Sequence, residues 1–220
     1  MEKHGMHLNL TGNNAILFYI SLCKFLLLVL FAGNYGLFRD EFYYLECSKH
    51  LDWGYVDQPP FSLLILAISR TLFGESILGI RVFAYVIGSA TVFITGIIAR
   101  ELGGKKFAQI IASSASIFSG VLLGGSSYFS MNAFDVFFAS FLFLLLIRMI
   151  KNDKPKTWIT IGILFGLGMQ NKLSFLFLAF GLFVGLILTK QRKYFLCKEL
   201  YVGAAIALII FLPHIIWQIS

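Results

Sequence analysis

Charge is scarce in this chain: Asp, Glu, Lys and Arg together make up 13% of its 220 residues, against 58% hydrophobic residues. That balance excludes an ordinary soluble domain. Cysteine is scarcer still, with Cys23 in an apolar run, Cys47 in an acidic loop and Cys197 in a basic one. The three form no pair on one side of a membrane, so neither a disulfide framework nor a cysteine-based metal site is indicated. Acids number only eleven against eighteen Lys and Arg, giving a net charge of +7. The basic residues fall in short clusters between apolar runs rather than along one helix face. They read as topology signals, not as a nucleic-acid surface.

What the chain has in abundance is apolar runs near twenty residues and a mean hydropathy of +0.82. The expected fold is all-α, a polytopic transmembrane helical bundle. Residues 1–14 read as a short cytoplasmic tail in which Lys3, His4 and His7 carry no function. The run 15–34 is longer than the apolar core of a secretory signal, so it reads as a retained first span. Lys24 interrupts it near mid-depth, as a snorkelling or inward-facing ammonium or as a functional one. Further spans are expected at 77–99, 107–125, 132–150, 158–169, 173–188 and 200–217, seven in all. Gln170-Asn171-Lys172 divides 158–188 into two short helices meeting at a turn, since Lys172 inside one helix would be costly. The run 61–73 is too short to span, at about 20 Å against a hydrocarbon core of roughly 30 Å. It reads as an interfacial helix begun by Pro60. Ser62 and Ser69 lie on one face near Arg70, and Leu63, Leu64, Leu66 and Ile68 turn to lipid or protein. With the N-terminus inside, twelve of the eighteen Lys and Arg fall on the cytoplasmic side. The loop after the first span is then extracytoplasmic.

That loop holds the densest chemistry. Five of the eleven acids, Asp40, Glu41, Glu46, Asp52 and Asp57, fall within residues 38–61, among aromatic residues and before Pro59-Pro60. Asp40 and Glu41 sit in or before the first turn of a short helix over 42–50, where acids favour the macrodipole, or they form a site. Because neighbouring side chains diverge, one acid can face a cavity while the other holds the loop. Asn132 and Asp135 open the fourth span, with spacing that also suits a reciprocal helix cap. Lys172, between two short apolar helices, would either snorkel to the headgroups or neutralise a lipid-linked phosphate. All three features project toward the same side.

The runs RDEFYYLECSKHLDWGYVDQPPF, SYFSMNAFDVFF and GLGMQNKLSFLFLAFGLFVGLILTKQRKYF resemble the bacterial members of the protein O-mannosyltransferase and aminoarabinose transferase superfamily. These are integral membrane glycosyltransferases of the GT-C fold, grouped as glycosyltransferase family 39 or dolichyl-phosphate-mannose-protein mannosyltransferase-like. The resemblance implies inverting transfer of a sugar from a polyprenyl-phosphate donor to an acceptor hydroxyl, on lipid, glycan or protein, at the extracytoplasmic face. It implies Asp40 as general base and Glu41 as its support or a contact to substrate hydroxyls. It implies Lys172 at the leaving phosphate, with Arg81 or Arg39 as weaker candidates, Asn132 and Asp135 on the pocket wall, and Gln58-Pro59-Pro60 at its rim. Some members use a divalent metal, for which Asp40, Glu41 and Asp135 could supply oxygen ligands, although no His- or Cys-rich spacing demands one. Residues 15–220 are expected to be an incomplete GT-C module, because family members continue with further spans beyond the equivalent of Ser220. A transporter or lipid flippase binding ions or a headgroup through the same charges is the rival from another class. A truncated, non-catalytic remnant of the family is the third reading.

Overall fold

The apolar runs fold as helices, and in the computed structural model, which describes residues 12–219, no strand occurs among the described residues. The tail expected over residues 1–14 lies almost wholly outside them. In chain order the helices are α1 Asn13–Leu30, α2 Arg39–Cys47, α3 Phe61–Phe73, α4 Ile77–Glu101 and α5 Lys106–Phe118. They continue as α6 Gly120–Ser127, α7 Met131–Asn152, α8 Thr157–Asn171, α9 Phe175–Leu188 and α10 Lys198–Ile219. Short 3₁₀ turns follow α1 (Ala32–Asn34) and α9 (Lys190–Leu196).

α7 is the spine of the core. Phe134, Phe138, Leu142, Leu146 and Met149 recur every three or four residues, and that spacing keeps them on one buried face. α4 and α8 pack against α7, while α1 and α5 lean on the far side of α4. α8 and α10 make the closest helix pair. Gly162 and Gly203 meet across it, and a Cβ on either would strike the backbone of the other helix. Small residues of this kind let membrane helices approach where apolar driving force is weak. α9 turns Phe177, Phe180 and Leu188 outward, an ordinary lipid-facing surface for an integral membrane protein.

The span count differs from the seven expected. Four helices, α1 with its following turn, α4, α7 and α10, are long and apolar enough to cross a membrane, and up to six crossings result if two bent pairs each count as one. One pair is α5 with α6, where the expected single span 107–125 breaks at Ser119 with a 58° bend. The other is α9 with its 3₁₀ turn, bent by 108°. α8 has 15 residues, about 22 Å of helix, too short to cross alone. The division at Gln170-Asn171-Lys172 holds: α8 ends at Asn171, and Lys172 is extended. α3 occupies the expected range, with Pro60 just before its first turn. Its serine face is the packed one: Ser62, Leu63, Leu66 and Ser69 are fully buried, and Leu64 and Ile68 are exposed.

Candidate active site at one end of the bundle

α2 begins at Arg39, three residues earlier than the sequence pattern suggests, so Asp40 and Glu41 both lie in its first turn. Their side chains then part. Glu41 is fully buried and its oxygens accept four hydrogen bonds. Oε1 takes the Arg81 Nε–H at 2.8 Å and the Phe129 N–H at 2.7 Å. Oε2 takes the Arg81 Nη2–H at 2.6 Å and the Phe38 N–H at 2.7 Å, and the last of these closes the first turn of α2. Arg81 also donates to the Gly36 carbonyl at 2.8 Å and to that of Ala32 at 3.4 Å. The Glu41 carboxylate is thus fully occupied, and four of the five Arg81 N–H groups are engaged. Arg81, expected as a weaker phosphate contact, instead ties α4 to the segment before α2, because a guanidinium buried among apolar helices is held by the nearest carboxylate.

Asp40 points the other way. Its side chain is 41% exposed, and its recorded partner is the Arg39 Nε–H at 3.0 Å, on a guanidinium that is itself 88% exposed. Its charge is felt by Tyr44, whose phenol is pushed up to about 12 by burial first and then by Asp40 and Asp57. Tyr43 donates to Asp57 at 2.6 Å, which draws the far side of the loop onto α2, and burial followed by this bond raises its phenol too. Tyr55 braces the same loop, its one O–H shared between the carbonyls of His50 and Cys47 while its oxygen accepts from the Asp52 N–H. Gln58 is buried beneath it; its carbonyl accepts from Tyr55, while both atoms of its side-chain amide lack a partner.

The loop is clasped from the far end of the chain. Trp217 on α10 donates to Asp52 at 2.9 Å, and Nδ1 of the buried His214 lies 3.0 Å from the Trp53 carbonyl. Nothing in the sequence pattern pairs these residues.

The N-terminus of α7 meets the end of α8 at the same end of the bundle. The capping expectation for Asn132 fails: the helix starts one residue earlier and Ser130 is the cap, accepting from the Asn132 N–H. Freed from that duty, the Asn132 side-chain oxygen accepts from Lys172 Nζ at 2.8 Å. Next to it Asn171, fully buried, donates to the Met131 carbonyl at 2.9 Å. Asp135 lies one turn along α7, with Oδ1 buried and unpartnered. The fold therefore brings Asn132, Asp135 and Lys172 together. The Glu41–Phe129 bond and the Phe38–Tyr128 ring contact, centroids 4.5 Å apart, fix α2 and its Asp40 to the segment that enters α7. Arg39 is exposed on the rim.

Among the described residues no group of three or more His, Cys, Asp or Glu is placed to hold a metal ion. Glu41 has its oxygens filled by N–H donors, so the trio Asp40, Glu41 and Asp135 does not fit as a ligand set. The pairing of Glu41 with Arg81 escaped the sequence reading. The available signal was an arginine near the start of an apolar span, where a buried guanidinium needs a partner.

Comparison with known proteins bears on the part of this region that follows α2. The family described as dolichyl-phosphate-mannose-protein mannosyltransferase matches residues 57–217. A polyprenol-phosphate-mannose–protein mannosyltransferase of Corynebacterium glutamicum is 33% identical over 96 residues, which covers 44% of this chain and 18% of that relative. The aligned stretch is thus under a fifth of the relative's length. No solved structure matches.

Proposed function

Because the chain belongs to the dolichyl-phosphate-mannose-protein mannosyltransferase family, we propose that it serves transfer of mannose from a polyprenyl-phosphate donor to a hydroxyl of a protein acceptor, at the extracytoplasmic face of a bacterial plasma membrane. The observation that carries the residue assignment is the split of the acidic pair: Glu41 is consumed as a lock, and Asp40, one residue away, keeps a solvent-facing carboxylate.

In this reading Asp40 accepts the proton of the acceptor hydroxyl as its oxygen attacks the anomeric carbon. The bond from that carbon to the phosphate oxygen breaks, the configuration inverts, and the electron pair leaves on the lipid phosphate. Lys172, held by Asn132, neutralises the charge that develops there. Glu41 and Arg81 do not touch substrate; they fix the backbone that carries Asp40. Gln58 shapes the rim from below. Glu41 has no oxygen to spare for a divalent ion.

The experiment is transfer from polyprenyl-phosphate mannose to a protein acceptor, assayed on membranes. Asp40→Asn is expected to lower the rate by about 10²- to 10⁴-fold, the usual worth of a general base, with insertion unchanged. An unaltered rate removes Asp40 from the role.

A further inference from the structure

A largely apolar cavity of about 350 Å³, with a few polar groups on its wall, lies between α1, α4, α5, α6 and α7. The charged residues on its wall are Lys24 and Asp135. Lys24 is 2% exposed, and its recorded hydrogen bond is a single one, from Nζ to the Leu122 carbonyl at 3.2 Å. An ammonium has three donors, so two remain. Asp135 faces the same space with a buried, unpartnered Oδ1. The Thr91, Ser116 and Ser126 hydroxyls on the wall donate to carbonyls of their own helices, at Ile87, Ala112 and Leu122, and keep their lone pairs as acceptors. Gly88 makes the room: a Cβ there would press on Ser126 and come within 3.7 Å of Lys24 Nζ.

The balance of these groups selects the ligand. An anion would meet Asp135, and a cation would meet Lys24. A neutral polyol can give hydroxyl protons to the carboxylate and serine oxygens and take them from the ammonium, which satisfies both. The volume holds several waters rather than one, and so admits a single sugar ring. Asn132 sets its direction. It lines the cavity and also holds Lys172, so a phosphate at Lys172 leaves a sugar attached to it at the cavity mouth.

We propose that this cavity receives the sugar ring of the donor, and that Lys24 and Asp135 read its hydroxyls and set donor specificity. The proposal rests on the polyprenyl-phosphate donor of the preceding reading. A site built to hydrogen-bond hydroxyls discriminates strongly against a ligand lacking them, because its own buried polar groups are then left unpaired.

The test is binding of two lipids, polyprenyl phosphate with and without mannose, to the full chain in lipid nanodiscs. The unaltered protein is expected to prefer the mannosyl lipid by about ten-fold or more, roughly one well-made hydrogen bond. Lys24→Met and Asp135→Asn are each expected to bring that ratio close to one while affinity for the bare lipid stays unchanged; Lys172→Ala weakens both lipids. A variant that keeps the full preference overturns the sugar assignment and leaves the donor reading standing. Equal loss for both lipids also overturns it, as a merely structural effect. If the unaltered chain binds neither lipid, the donor reading itself falls and takes this one with it. Should Lys24→Met not fold, Thr91→Val removes one acceptor from the same wall and is judged on the same ratio.

Discussion

Arg81 on α4 and Lys24 on α1 are both cations buried among apolar helices, 3% and 2% exposed, and their surroundings could hardly differ more. Arg81 has a carboxylate in bidentate contact and two backbone carbonyls beside it. Lys24 has one long bond and an open cavity. A planar fork of donors suits a fixed structural tie, whereas a compact ammonium with spare donors suits an occupant that comes and goes. Burial alone therefore does not mark a charge as structural or functional; the count of satisfied hydrogen bonds around it does.

Substitutions can break this contrast. Arg81→Met leaves the Glu41 carboxylate buried without its counter-charge, and a loss of about 3–5 kcal/mol is expected. Thermal unfolding in detergent micelles measures it; a midpoint unchanged from the parent protein denies Glu41–Arg81 its part in the fold. Arg81→Lys should fall between, since an ammonium restores charge but not the two-pronged geometry. Lys24→Met is expected to shift stability by no more than about 1 kcal/mol, the worth of one modest hydrogen bond. A drop as large as that of Arg81→Met would make Lys24 a second structural tie and erase the difference. The smallest effect is alkaline. Folding raises the Tyr44 phenol to about 12, above its ordinary value near 10. Its contribution to stability is therefore present below about pH 10 and fades as pH climbs through 12. Tyrosinate absorbance followed against pH should show a late-titrating phenol that Tyr44→Phe removes.

Much of the architecture was written in hydropathy. The range of α3, the division between α8 and α9, and the length of α7 all follow from where apolar runs meet Gly, Pro or polar residues. The break between α5 and α6 does not, because a stretch of Ser and Gly inside an apolar run reads the same whether it bends or continues. The gathering of Asn132, Asp135 and Lys172 was legible from topology, since the two expected crossings 132–150 and 158–169, an even number, separate their segments in chain order. Which of Asp40 and Glu41 turns inward was not. That depends on Arg81, forty residues away, and on the Phe129 amide, and neither distance nor direction is encoded by spacing. The helix cap at Ser130 rather than Asn132 shows the same limit, since adjacent cap-forming residues compete and packing decides between them.

The clasp on the acidic loop carries a consequence for biosynthesis. The ties from His214 to Trp53 and from Trp217 to Asp52 join residues 161 and 165 positions apart. As the ribosome delivers the chain from its N-terminus, the segment bearing Asp40 emerges early and must wait, unfastened on that side, until α10 has entered the bilayer. The acidic loop is thus fastened by parts made long after it, and a nascent chain halted before His214 would display a helix bundle with an unlatched rim.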